Sequence, residues 1–429
     1  MTDSTRSSAD STTRIARRAT ILESLQYRDF RWLWLGSLVA YMSLNLQMLN
    51  RSWLVVILED NSPLALALVM MSFALPMTFV SPIGGVLADK WSKKKLIAAS
   101  QIGSAVVTFG LGILDFTGVI QFWHLLASGL LNGVMMAINV PSRQAIVSDI
   151  VPKEALMNAI SLNNSAMSIT RILGPALGGF LIVYFVDWIP MLESGTAGVF
   201  FVIAAVYIIA ALSILRIKTD VIIEKDKVKS SFGKDLFSGL IYVLHHKIIR
   251  VVLFVNLIGS VFGWAFMTLM PAWARVVLNV NADDLGILLT VIGVGSLVAT
   301  LGLASLSNFK YRGILLIASC LLWGLSLALI SKMDQLYIVY PLLLFIGIAS
   351  GIFMSLGMTL MQYYSEPEMR GRVMSVAVMP FGVSSMSAVP FGMIATKIGI
   401  ENSLMISGIL LVFFTILIVL IFPFFTKVE

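Results

Sequence analysis

GGVLADKWSKKK, residues 84–95, closes a long apolar run. Its first half is small and apolar, its second half carries four lysines, and one acid, Asp89, stands between them. An apolar helix that ends in clustered cations is the pattern of a membrane span reaching the cytoplasmic surface, because short basic loops are retained on that side. Gly85 leaves room for a neighbouring helix to approach. Asp89, alone among cations, is placed to pair with them or to face the positive N-terminal end of a nearby helix. This corner therefore predicts an inner helix end of a multi-pass membrane protein.

The rest of the chain agrees. Of 429 residues, 58% are hydrophobic and only 12% charged, whereas a soluble domain is about one quarter charged. A mean hydropathy of +0.92 is more than one soluble core hides. The net charge of +7 comes from cations gathered in loops, which sets membrane topology and argues against a nucleic-acid partner. Cys320 is the one cysteine, so an internal disulfide and a cysteine metal cluster are excluded. His124, His245 and His246 lack metal-ligand spacing. No phosphate loop or hydrolase triad is present. Neither a cofactor, a metal nor an enzymatic activity is expected.

A span needs roughly 20 mostly apolar residues. Twelve runs qualify, at about 32–58, 63–88, 95–115, 121–141, 157–186, 196–216, 250–274, 284–307, 312–331, 335–361, 373–397 and 402–425. With both termini inside, the inner side holds Arg28, Arg31, Lys90, Lys93, Lys94, Lys95, Arg143, Lys153, the middle-loop cations, Lys310, Arg312, Arg370, Arg372 and Lys427. The outer side keeps Lys332 and Lys397, with Arg51 and Arg275 near outer helix ends. The expected organisation is an N-terminal tail over 1–31, a six-helix bundle over 32–216, and a linker with a surface helix over 217–249. A second bundle follows over 250–425, then a short cytoplasmic end over 426–429. EALMNAIS at 154–161 and EMRGRVMS at 368–375 open the fifth helix of each half, and Gly178 and Gly392 follow at the same offset.

At residues 84–95 the chain resembles the major facilitator superfamily, whose signature between helices 2 and 3 is matched by Gly85, Leu87, Ala88, Asp89, Lys90, Lys93 and Lys94. Ser92 stands where the family carries glycine. The resemblance implies a cytoplasmic gate latched by this loop. Gly174, Pro175, Gly178 and Gly179 resemble the G-P-x-x-G-G element in helix 5 of family antiporters and exporters. There small residues let helices touch closely and proline kinks the helix. Residues 139–180 are also similar to the enterobactin exporter and drug:proton antiporter subgroup. The fold implied is all-α, with twelve transmembrane helices in two pseudo-symmetric six-helix bundles that rock about a central cavity.

Arg171 lies near the middle of helix 5, keeps its charge, and must face protein or water rather than lipid. Asn164, Ser168, Arg171, Pro175 and Gly178 share one helix face. On helix 1, Gln47 and Asn50 or Arg51 form a similar stripe. The resemblance implies that helices 1, 4, 7 and 10 line the substrate path, which adds Asn139, Asn256 and Trp264. Each arginine either shapes the cavity's electrostatics or holds its walls in register. No Asp or Glu falls near the middle of a span, so proton coupling is implied by resemblance alone, with Glu59, Asp60 and Asp115 as its candidates. Two buried cations favour an anionic substrate. The expected function is export of a small amphiphilic drug or siderophore-like metabolite, coupled to protons, by a monomer in the cell membrane. An uptake carrier, a lipid transporter and a non-transporting sensor are the alternatives.

Overall fold

A computed structural model describes residues 23–188, 194–218, 232–305, 310–366, 368–377 and 379–428. Among them there is no strand. The N-terminal half contains α1 (Arg28–Leu58), α2 (Pro63–Lys90), α3 (Lys93–Phe116), α4 (Phe122–Ile150), α5 (Leu156–Trp188) and α6 (Thr196–Leu215). The linker supplies α7 (Phe232–His245). The C-terminal half opens with α8 (Lys247–Ile258), which runs through a π turn at Gly259–Gly263 into α9 (Ala265–Val276). It continues with α10 (Ala282–Ser305), α11 (Arg312–Ile330), α12 (Leu336–Tyr363), α13 (Arg370–Ala377), α14 (Met379–Ile398) and α15 (Ile400–Ile421).

Among the described residues, eleven segments are long and apolar enough to cross a membrane; α8–α9 count as one, and so do α13–α14. The twelfth long helix is α1, whose apolar run is diluted by Arg28, Asp29 and Arg31 at its start and by Asn45, Gln47, Asn50 and Arg51 within it. In a bilayer such helices satisfy their own backbone groups, so side chains alone decide which face turns inward. α1 begins at Arg28, within the stretch expected as an N-terminal tail over 1–31, and residues 1–22 lie outside the described residues. The linker contains α7, whose Tyr242 hydroxyl accepts from the Glu366 amide near α13. The C-terminal end is docked: the Gly313 amide donates to the Val428 carbonyl and Phe425 is buried.

One boundary moves substantially. The fourth span was expected to stop at 141, before a polar stretch, yet α4 continues through Pro141 to Ile150. Arg143, expected in an inner loop, is instead 2% exposed. Nε donates to Asn139 Oδ1 at 3.2 Å, Nη1 donates to Ser37 Oγ at 2.6 Å, and the guanidinium lies 5.8 Å from the Tyr41 ring centroid. Those groups replace water around the charge, so the helix can continue. Just below, Phe30, Leu33, Ile97, Ile146, Val147 and Ile150 form an apolar core that ties the inner ends of the bundle together.

Two seams join the halves: α5 packs on α10, and α14 packs on α2. They are equivalent, the fifth helix of each half lying on the second of the other. Contact is tight at one end of the α5–α10 seam. A Cβ at Gly179 would stand 2.2 Å from the Ala282 carbonyl oxygen, and one at Gly286 2.4 Å from that of Pro175. Arg275 adds a bond to Asn281 and sits 5.7 Å from the Trp53 ring centroid across the halves.

Candidate substrate cavity between the bundles

The α5 stripe records where the halves part. Gly178 and Pro175 are buried, Arg171 is half-buried, and Ser168 and Asn164 are exposed, in order from the outer end inward. On α2, Phe79, Ile83 and Val86 are likewise 68%, 57% and 50% exposed toward the basic inner end. The seam is therefore closed at the Gly178 end of α5 and open at the Asn164 end, with Arg171 at the point of divergence. Its guanidinium carbon lies 5.6 Å from the Trp264 ring centroid, and Nη1 lies 3.9 Å from the Met354 sulfur. One arginine of the N-terminal bundle is thus cushioned on an indole and a thioether of the other bundle. Both partners are uncharged.

The π turn puts Trp264 there. A Cβ at Gly259 would come within 2.4 Å of the Phe353 ring, and one at Gly263 within 2.6 Å of the Trp323 ring. Small residues at both ends let the widened turn nest on aromatic rings; such single π turns inside helices are frequent at functional sites. Trp264 Nε1 has no partner. Beside it Asn256, Ser260, Phe353, Met354, Met358 and Pro380 line a crevice. Asn256 donates to the Met361 sulfur at 3.6 Å. Methionine walls re-pack around varied ligands.

The residues grouped from sequence as one cavity separate into two places. Arg171 and Trp264 meet between the bundles, and Asn256 lines the crevice beside them in the C-terminal bundle. Gln47 and Asn139 line a second crevice inside the N-terminal bundle. Gln47 donates to Thr108 Oγ1 at 2.8 Å and accepts from the Tyr207 hydroxyl at 3.1 Å. Asn139 donates to Ser100 Oγ at 2.7 Å. Asn50 is buried and donates to the Thr196 carbonyl at 3.0 Å. Arg51 is 6% exposed inside the same bundle. The polar stripe of α1 faces α3 and α6 of its own half, because that is where hydroxyl and carbonyl partners stand.

The inner-end motif is corrected in one residue. Close helix approach occurs at Gly84, where a Cβ would be 2.1 Å from the Ala137 carbonyl oxygen, and not at Gly85, where a Cβ would meet nothing within 4 Å. Leu87 is half-buried and Lys90 exposed. Asp89 lies in the last turn of α2, and its side chain lies outside the described residues. Lys93 pairs with Asp149 and Lys94 donates to the Ile217 carbonyl, so both fasten inner helix ends within one half. In the helix 5 element, Gly174 and Gly178 abut Asn45 and Leu49 of α1, while Pro175 and Gly179 abut α10. This short run serves both an internal contact and the seam.

None of the three candidate carboxylates lines either crevice. Glu59 and Asp60 form the outer turn after α1, and Asp115 accepts from Thr196 Oγ1 at the outer end of α3. Arg143 was missed as a site residue. Its signal was present: it follows Asn139 by four positions, which places both on one face of a helix.

Two six-helix bundles that meet at paired seams and part around a polar centre define a transporter of the major facilitator superfamily. The chain belongs to the transmembrane secretion effector family, whose model matches residues 19–427. It is similar to the Staphyloferrin A transporter of Staphylococcus aureus (strain NCTC 8325 / PS 47), with 25% identity across 92% of this chain and 94% of the relative. It is also similar to Macrolide efflux protein A of Streptococcus pyogenes, with 25% identity across 82% of this chain and 86% of that protein. Among solved structures, an inward-facing, unoccupied bacterial homolog of the human lysosomal transporter Spinster superposes with a TM-score of 0.70 at 14% identity, covering 93% and 96% of the two chains. The nucleoside transporter NupG gives 0.67 at 14% identity over 94% and 100%. These likenesses show the fold.

Proposed function

We propose that this protein is a secondary active exporter of a small amphiphilic compound bearing a negative charge, working by alternating access in the bacterial cell membrane. The observation that carries the reading is Arg171, a permanent cation at the divergence of the two bundles with only an indole and a thioether against it. An anionic group entering from the open side would meet an unpaired charge, and the methionine-rich crevice beside it would take the apolar part. The kinship to a siderophore transporter and a macrolide exporter supports an organic substrate.

With the lysine-rich end and both termini on the cytoplasmic side, the open cavity faces the cytoplasm. Substrate binding at Arg171 competes with its contact to Trp264. The inner ends then close, bringing the open face at Gly85 toward the other bundle, and the outer contacts at Gly179, Gly286 and Arg275 part. A proton gradient drives the cycle, with Asp115 better placed than Glu59 or Asp60 because it is half-buried and bonded to α6. The working unit is a monomer.

The test is flux in sealed proteoliposomes with and without an imposed proton gradient, using a catecholate siderophore, a carboxylate dye and a lipophilic cation. The expected result is gradient-dependent movement of the anions, reduced about tenfold or more in Arg171→Gln. Movement of cations and anions alike, unaffected by that substitution, overturns the anionic assignment. Accumulation toward the opposite side overturns the direction.

A further inference from the structure

We infer that the junction where α8 begins and α15 ends is a binding site for an anionic phospholipid, whose headgroup phosphate is held by Lys247 and Arg250. Both cations stand at the boundary of spanning segments. Lys247 opens the span that runs to Val276, and α15 closes at Ile421, one residue before Phe422. That places them at headgroup level, where negatively charged lipid attracts basic side chains.

Three observations converge there. First, the pair is aligned: Lys247 and Arg250 are three positions apart on α8, so their side chains leave neighbouring turns of one helix face. Second, both are held in place. Lys247 Nζ lies 4.4 Å from the Phe424 ring centroid, the Arg250 guanidinium carbon lies 5.7 Å from that of Phe422, and the two rings meet edge to face with centroids 6.1 Å apart. Arg250 Nη1 also donates to the Leu244 carbonyl of α7 at 3.3 Å. Cations at the ends of spans ordinarily reach for water on flexible stems. Here an aromatic pair and a carbonyl fix them, so a ligand meets them pre-organised. Third, the charge is not cancelled. Neither side chain pairs with a carboxylate among the described residues, and a ring face attracts a cation without neutralising it. Lys93, which opens α3 as Lys247 opens α8, is instead neutralised by Asp149. Lys247 is exposed and Arg250 half-buried, so an anion reaches them from outside the fold. The rim is apolar: Ile241 and Leu244 on α7, and Ile421 beside Phe422, are all exposed. A soluble phosphate gains nothing from that rim, whereas the acyl chains of a lipid cover it.

This site is separate from the one at Arg171, and its test does not depend on transport. The full-length protein in detergent is titrated with mixed micelles containing phosphatidylglycerol, with micelles containing phosphatidylcholine, and with inorganic phosphate, and its thermal midpoint is followed. A saturable rise on the order of 2–4 °C is expected with phosphatidylglycerol alone. Each basic group at a lipid surface contributes roughly fivefold to the attraction, so Lys247→Gln combined with Arg250→Gln weakens binding about tenfold or more. Lys95→Gln, which changes an exposed lysine at the start of α3, keeps the full response. Native mass spectrometry shows phosphatidylglycerol retained by the unmodified protein and lost from the double variant. An equal rise in the double variant, or with phosphatidylcholine, overturns the site. An equal rise with inorganic phosphate overturns the lipid and leaves a free phosphate as the ligand. Should the double variant fail to fold, Lys247→Gln alone changes only an exposed side chain. Binding weakened roughly fivefold in that variant supports the site, and unchanged binding refutes it.

Discussion

The two bundles share a fold but stabilise it differently. Among the described residues, every buried amide or guanidinium side chain except Asn256 lies in the N-terminal half: Gln47, Asn50, Arg51, Gln101, Asn132, Asn139, Arg143 and Asn163. The C-terminal half is packed with apolar and aromatic groups instead, including Trp273, Trp323, Phe266 and Cys320, and its buried polar groups are otherwise hydroxyls. It also holds the π turn. Directional bonds from Gln47, Asn50, Asn139 and Arg143 tie helices of the first bundle to one another. Dispersion contacts in the second permit re-packing.

The sharpest way to break this comparison is Arg143→Ala. It leaves a cavity and strips Asn139 and Ser37 of a partner, so a loss on the order of 2–4 kcal/mol is expected from thermal or denaturant unfolding in detergent. Asn256→Leu in the other bundle should cost less than about 1 kcal/mol. Equal losses would mean that the polar frame is no more demanding than the apolar one.

Gly179→Leu addresses the seam that joins the bundles. The new side chain would overlap the α10 backbone at Ala282, disfavouring outer closure by about 2–3 kcal/mol. Spin-label distances between the outer ends of α5 and α10 should lengthen, and flux should fall at least tenfold. Gly85→Leu is the counterpart at the open end. Nothing stands within 4 Å of that position, so unfolding should not change, while closure of the inner side should be blocked. A stability loss there would show that the inner ends do not part as described.

Arg275→Ala tests the weakest contact. Removing its place over Trp53 should cost the outer-closed state about 0.5–1 kcal/mol, a two- to fivefold population shift. Thiol labelling of an outer-cavity cysteine reads that shift, and background is low because Cys320, the one native cysteine, is fully buried. No change in labelling would remove Arg275 from the outer closure.

The fold was legible because lipid imposes a simple code. Length and apolarity set the spans, and lysine-rich loops such as residues 84–95 mark one side. The helix 5 element was legible too, since small residues four apart have few uses other than close contact. Arg171 could be placed at the centre by counting turns, because a permanent charge excludes lipid on its own account. What α1 does with Gln47, Asn50 and Arg51 could not be read this way. Periodicity gives the face they share but not the neighbour that face meets, and here the hydroxyls of α3 and α6 claim it. Arg143 was hidden for the same reason: a cation after Pro141 reads as a loop until Ser37 and Asn139, distant in sequence, are seen to replace its water. Gly85 and Gly84 differ by one position and about 100° of helix rotation, and packing alone selects between them. The sequence by itself determined that the chain crosses the membrane many times and carries charge at its centre. Only the tertiary structure decided which charge lies against the other bundle and which are buried within their own, because desolvation fixes where a buried charge is permitted and only three-dimensional neighbours supply its partners.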